Sequence, residues 1–510
     1  MKSGWKLLIP SSLFIVILIL LLSNIFGIRS QINLDQDDFI PASSLLSFGG
    51  VRDSSFGEIV SGIGDYNQDG FEDIVVGGRQ WNGWQGKTWI YYGSENGPVQ
   101  ADFTIMGEPN RDGSGICMGH SVFNVGDVNG DGVDDFAASG PGGWGGWDIG
   151  KVYLFYGNPD DVPTKAEDAD FEFSSPSKYD WFGEVSRLAG DFNGDGYPDI
   201  IIGAPGTNWP ENQESLFESG RSYIYLGSEN GYTNIPDITL HDDLNFSAFG
   251  LVVDGDGDIN NDGLSDVIVS ASWSNSFTGK AHVYLGTEEL NPEPTADLIL
   301  TGNKGDDQFG KWVGIINDLN GDGYDEIALR TSFPVEGSSH KDEVVYLYFG
   351  RADLTTISEP DLIFRTEEEQ DDFGFVFNPV GDLNGDSFTD FAIGAPGTTL
   401  HPGKVYVYFG GSNMNTVPDM QFIGEDNFDR FGYYVNAADV NGDGTPDLLM
   451  TSLFNDDVGR VYIDLSEGVA TTPDLTIESS TSDSLSVLYG TVLFVLVMVA
   501  NFKLKSRKKS

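Results

Sequence analysis

The chain has 510 residues, 79 of them acidic and 27 Lys or Arg, for a formal charge of −52. That excess excludes a nucleic-acid-binding protein, since phosphate contacts need clustered Lys and Arg, while 39% hydrophobic and 13% aromatic content excludes a disordered polyanion. The 66 glycines, without a G-X-Y period, demand many tight turns, and the single Cys117 excludes an intramolecular disulfide, so an exported domain must be held by its core or by metal.

Residues 1–30 read as a signal peptide or signal anchor. Leu7 to Ile28 is an almost continuous apolar run behind Lys2 and Lys6. It is longer than the ~7 to 15 residues of a signal-peptide core and shows no small-x-small site near Arg29, so cleavage and retention both stay open.

Residues 31–470 carry one pattern repeated seven times: Phe-Gly, an apolar strand, Asp-x-Asn-x-Asp-Gly-x-x-Asp, then a second strand, with a period of about 62 residues. The first copy opens at Phe56-Gly57, and its loop offers side-chain oxygens from Asp65, Asn67, Asp69 and Asp73 and a backbone carbonyl from Phe71. The second, from Met118-Gly119, places Asp127, Asn129, Asp131, Val133 and Asp135 in the same roles. The third, from Phe182-Gly183, uses Asp191, Asn193, Asp195, Tyr197 and Asp199; the fourth, from Phe249-Gly250, uses Asp258, Asn260, Asp262, Leu264 and Asp266. In the fifth, from Phe309-Gly310, Asp318, Asn320, Asp322 and Tyr324 are followed by Glu326, a longer-reaching ligand. The sixth, from Phe373-Gly374, has Asp382, Asn384, Asp386, Phe388 and Asp390, with Ser387 where the others have glycine, which predicts a strained bend. The seventh, from Phe431-Gly432, has Asp439, Asn441, Asp443, Thr445 and Asp447.

After each loop comes a second apolar strand such as Ile200 to Ile202, closed by Gly203-Ala204-Pro205 or Gly394-Ala395-Pro396. A third strand alternates, as in Val152 to Phe155, and a short fourth follows, as in Asp102 to Met106 or Asp361 to Phe364. Four strands repeated seven times must stack to bury both faces. The fold class is therefore all-β, a seven-bladed β-propeller of four-stranded antiparallel blades, with a hydrophobic helix at each terminus. Ser44 to Phe48 and Asp474 to Ile477 each resemble a fourth strand without a blade, and the N-terminal one is expected to close the ring.

Residues 471–484 read as a polar stalk, and 485–502 as a charge-free stretch just long enough for one membrane helix. Residues 503–510 form a basic tail containing Lys503, Lys505, Arg507, Lys508 and Lys509. No acidic residue precedes Asp35 or follows Asp483. The acidic body is thus expected outside the cell membrane on a single C-terminal span, with a second anchor if the N-terminal run is retained.

Three carboxylates, an amide oxygen and a carbonyl suit a hard cation, and up to seven calcium ions are expected. Such clusters also make plain hairpin turns, but seven copies with one oxygen spacing favour metal. A helical EF-hand does not fit, because the flanks alternate with period two and lack a regular bidentate Glu at the twelfth position.

Phe-Gly, the acidic hairpin and Gly-Ala-Pro together resemble the FG-GAP repeat of the integrin alpha-subunit propeller, over about residues 44 to 466. The resemblance implies a cell-surface adhesion or ligand-recognition module with metal at the loops from Asp65 through Asp439. The chain has no room for the sandwich domains of an integrin leg, no inserted ligand-binding domain, and no Gly-Phe-Phe-Lys-Arg in its tail. These departures argue against a beta-subunit partner.

Strand order puts the acidic loops at one end of the ring and the loops between second and third strands at the other. The latter carry Trp81, Trp84, Trp144, Trp147, Trp209 and Trp273 in the first four copies, a candidate surface for an extracellular protein or glycan ligand. The competing use of these rings is to seal the rim by packing. The competing function is an extracellular propeller enzyme, a polysaccharide hydrolase or lyase. Against it, His120, His241, His282, His340 and His401 share no equivalent position and no nucleophile elbow or zinc triad appears, though a carboxylate pair could lie among Glu367, Glu368, Glu369, Asp371 and Asp372. No catalytic residue is assigned. Asn245-Phe246-Ser247 is a glycosylation sequon.

Overall fold

A computed structural model describes residues 39–465, apart from short loop segments of which 207–219 is the longest. The two hydrophobic runs, Asp474 to Ile477 and Asn245 lie outside the described residues. Among the described residues no helix is long and apolar enough to cross a membrane.

Seven antiparallel sheets follow one another along the chain. In the third blade Ser186–Gly190 is the inner strand, Asp199–Ala204 the second, Arg221–Tyr225 the third and Ile238–Leu240 the outer. Each inner strand packs beside the next, and Phe431–Ala438 of the seventh blade returns to Ile59–Gly62 of the first, so the ring is closed. Second strands are buried on both faces because each sheet is stacked between two neighbours, which is why they read as unbroken apolar runs. Third strands are almost fully buried and pair aromatic rings across the sheet: Phe136 faces Phe155, with ring centroids 5.2 Å apart.

Outer strands bury little. Phe103–Met106, Leu362–Arg365 and Met420–Ile423 each hide a single anchor, Ile105, Phe364 and Phe422 respectively. Leu46–Gly49 has that same pattern with Phe48 as anchor, and it pairs antiparallel with Arg460–Asp464 to complete the seventh blade. Phe48 also stacks on Tyr91 of the first blade at 4.2 Å. Of the two candidate closing strands, the N-terminal one takes the position. Ile40–Pro41 adds a parallel pair to the edge of the sixth blade, so the N-terminal segment holds two blades.

Sequence reading starts the fourth strands one residue early. The leading aspartates (Asp102, Asp170, Asp237, Asp297, Asp361 and Asp419) sit at the bend, each accepting the N–H of the residue just past the third strand.

The glycine motifs hold blade to blade. A Cβ on Gly203 or Gly394 would overlap the carbonyl oxygen of Gly250 or Gly432 in the next blade. Gly403, just before a third strand, is equally close to the Phe431 carbonyl oxygen, and Gly459 to that of Phe56, which repeats the contact across the closure.

Candidate metal loops and the opposite face

All seven acidic loops share one hydrogen-bond scheme. The first Asp accepts the N–H of the fifth residue on one oxygen and that of the sixth on the other. The fifth-position carboxylate accepts the N–H of the seventh residue, which is Phe71, Val133, Tyr197, Leu264, Tyr324, Phe388 or Thr445. The third-position Asn oxygen accepts the fifth N–H in six copies. In the fifth copy Asn320 instead donates Nδ2–H to Glu326 at 2.8 Å. Backbone donors thus gather the oxygens on one side of each bend.

The ninth position has a second role beside the expected one of ligand. Asp73, Asp135, Asp199, Asp266, Glu326, Asp390 and Asp447 are completely buried. In five copies one oxygen accepts an N–H at the loop start and the other the N–H of the glycine after the third strand, as Asp199 does with Phe192 at 3.0 Å and Gly227 at 2.8 Å. These carboxylates clamp the hairpin to its own blade. Burial, aided in part by the neighbouring loop carboxylates, pushes Asp199 up to about 7, Asp73 to about 8 and Glu326 to about 9.

The donor chemistry fits a hard cation. The gathered atoms are all oxygen, and Asp447 Oδ2 is buried without a hydrogen-bond partner. Glu326, one methylene longer than Asp, brings its oxygen within 4.8 Å of oxygens of Asp318 and Asp322, the convergence of three carboxylates found among the described residues.

The eighth loop position was not singled out from sequence. Glu72 Oε2 accepts the Asp439 N–H at 2.9 Å, Asp134 that of Asp65, Ser265 Oγ that of Asp191, and Asp325 that of Asp258. Each reaches back to the first residue of the preceding blade's loop. The signal was present, since these positions hold acceptors, but its target lies 67 to 74 residues away or, for Glu72, 367 residues away across the closure.

On the opposite face the structure describes three of the six candidate tryptophans. Trp81 and Trp84 bound a tight four-residue turn and are half-buried, with Lys87 Nζ 5.1 Å from the Trp81 ring and the Arg79 guanidinium 5.9 Å from that of Trp84. They pack. Trp273 is 41% exposed beside Phe277, which is 43% exposed. Trp144, Trp147 and Trp209 lie outside the described residues. Trp181 and Phe428, in loops between outer and inner strands, are exposed on this same face and were missed because they precede the Phe-Gly motif instead of following a second strand. Of the acidic run, Asp372 is engaged by Arg330 at 2.7 Å and Arg430 at 3.6 Å, and Asp371 accepts the Phe373 N–H. These two brace a blade junction.

The FG-GAP repeat family matches residues 188–225 and 379–408, each spanning the end of an inner strand, an acidic loop and the next two strands. Relatives include integrin alpha-4 of Xenopus laevis, 30% identical over 184 residues (35% of this chain, 17% of the relative). Integrin alpha-8 of Homo sapiens is 27% identical over 340 residues, 62% of this chain and 29% of the relative. The chain is an FG-GAP repeat protein resembling the integrin alpha-subunit propeller. Phosphatidylinositol-glycan-specific phospholipase D of Bos taurus is also similar, 25% identical over 406 residues (66% of this chain, 44% of the relative). This FG-GAP chain spans less than half the length of these relatives.

Proposed function

We propose that this FG-GAP propeller is a membrane-anchored, extracellular calcium-binding module that recognises a protein or glycan ligand through the face opposite its acidic loops. The observation that carries the reading is the division of the ring into two faces. One end holds seven loops whose oxygens are gathered by backbone N–H groups. The other exposes Trp181, Trp273, Phe277 and Phe428. Calcium would be held by the first, third, fifth and ninth side chains of each loop with the seventh backbone carbonyl, and would supply the counter-charge that clustered carboxylates need. Similarity to integrin alpha subunits supports an extracellular recognition role, and the two terminal apolar runs support anchoring.

The enzyme alternative draws on the phospholipase D relative. Probing glycan and cell-surface arrays with the full chain, with and without chelator, tests the recognition reading. Retention that needs calcium and is lost in the Trp181→Ala/Trp273→Ala variant at unchanged melting temperature is the expected result. Turnover of a spotted substrate, or no capture on either array, would overturn it.

A further inference from the structure

At the axis of the ring, on the face away from the acidic loops, lies a cavity of about 290 Å³. Its rim is built from one repeat position, the residue after Phe-Gly or Met-Gly: Glu58, His120, Glu184, Leu251, Lys311, Phe375 and Tyr433. The acidic loops repeat their chemistry from copy to copy; here the copies differ almost residue by residue. That divergence divides the cavity into two unlike walls.

Blades one to three supply a hydrogen-bonding wall. Glu58 Oε1 pairs with Arg79 at 2.9 Å, Arg79 Nη1 lies 3.0 Å from His120 Nδ1, and His120 Nε2 lies 3.4 Å from Glu184. Glu58 is 7% exposed, and its second oxygen, like Arg79 Nε, is buried without a partner. Blades five to seven supply an aromatic wall of Trp312, Phe375 and Tyr433. Arg187 spans the two, donating to Tyr434 Oη at 2.7 Å.

An anion is opposed by Glu58 and Glu184, and a cation by Arg79, Arg187 and Lys311. What suits a wall that mixes acceptors and donors, with the tilted rings of Phe375 and Tyr433 opposite, is a small neutral ring carrying hydroxyls, since each hydroxyl both donates and accepts. We propose that the axial cavity is a carbohydrate subsite that takes a single pyranose unit, stacked on the Phe375 and Tyr433 side and hydrogen-bonded by Glu58 and Arg79. A cavity at the small end of ligand-site volumes holds one such ring. This inference deepens the recognition reading by naming the ligand class, and it does not depend on the exposed tryptophans.

The test is titration of the full chain in calcium with methyl glycosides of glucose, galactose, mannose and N-acetylglucosamine. Binding is followed by calorimetry and by tryptophan fluorescence, for which Trp312 is the reporter. A ligand of this size should bind with a dissociation constant of about 1 mM. Glu58→Gln, which keeps the shape but loses the charge-assisted acceptor, should weaken binding about tenfold. Leu251→Trp, which fills the cavity from the fourth blade and leaves the polar wall intact, should abolish it. If Glu58→Gln does not fold, the filling variant decides alone. Absence of binding by all four glycosides up to about 50 mM, or binding that survives Leu251→Trp, would overturn the proposal. Arrays that still capture the protein in that event would leave the recognition reading standing, whereas empty arrays would remove it.

Discussion

Ser387 holds φ = 75° at the sixth position of its loop, where the other six copies place glycine at 86° to 94°. A side chain in that region costs about 1 to 2 kcal/mol, partly offset because glycine loses more entropy on folding. Ser387→Gly is therefore expected to raise stability by about 0.5 to 1 kcal/mol, read as a higher urea midpoint in calcium; an unchanged or lower midpoint would show that the serine makes a compensating contact. His282, 2% exposed in the third strand of the fourth blade, sits 5.2 Å from the Phe249 ring. Its Nε2 is 4.0 Å from Asp242, which Lys280 and Ser274 also engage. Burial outweighs the attraction of Asp242 and holds the imidazole below its ordinary value. The unfolded chain takes up a proton near pH 6.5 that the native state refuses. This contribution is therefore fully present above that pH and declines as the pH falls below it, by at most about 1.4 kcal/mol for each step of one in pH. The urea midpoint of His282→Gln should accordingly fall less than that of the parent between pH 7 and pH 5. Parallel curves would exclude His282 as an acid-sensitive group.

The element that repeats most faithfully in backbone, and least in sequence, is the turn into each inner strand. Ser55, Cys117, Trp181, Ala248, Gln308, Asp372 and Arg430 all precede the Phe-Gly or Met-Gly step, and all adopt φ between 48° and 63°. No residue preference marks them, because the conformation is imposed by the contacts that follow. The next glycine must donate to the end of its own second strand, as Gly183 does to the Gly203 carbonyl at 2.9 Å. The preceding Phe backbone meets the adjacent blade, where Phe431 N–H donates to Pro402 at 3.0 Å. Gly403, at φ = 86° against that same Phe431, is the tightest part of this junction. Gly403→Ala combines overlap with a left-handed penalty and should cost about 3 kcal/mol in chemical unfolding. Gly83→Ala, also left-handed at φ = 70° but in open space, should cost only about 1 kcal/mol. Equal losses would mean that the blade contact contributes nothing.

For the whole molecule the decisive feature is closure. The ring is joined by the outer strand from the N-terminus, by Glu72 reaching Asp439 on the acidic face, and by Gly459 against Phe56 on the other. Each joins residues more than 360 positions apart, a costly loop to close. Metal at the loops would act at the same level. With dissociation constants of ~0.1 to 1 mM and calcium tenfold above them, each site adds roughly 1.4 kcal/mol, and seven together on the order of 10 kcal/mol, comparable with the net stability of a domain. Chelation should therefore lower the melting temperature by many degrees, and calorimetry on the stripped protein should register calcium uptake. An identical melting temperature in EDTA and in millimolar calcium would remove the metal from the account.

The amino-acid sequence alone determined the number of blades, the four strands in each and the positions of the acidic loops, and it narrowed the closing strand to two candidates. These rest on local chemistry: alternation within a strand and a turn that needs its Asp and Gly at fixed offsets, whereas the choice between the closing strands came with the pairing of Leu46–Gly49 to Arg460–Asp464. Tertiary structure decided the rest. It gave the ninth carboxylate the further role of a buried clamp, because only in the folded blade does the N–H of Gly227 arrive at Asp199. It buried Trp81 and Trp84 in part while leaving Trp181 exposed. It also brought Glu58, His120, Glu184 and Phe375 around one cavity. No local pattern encodes that gathering, since those residues come from four different blades and meet only when the ring has closed.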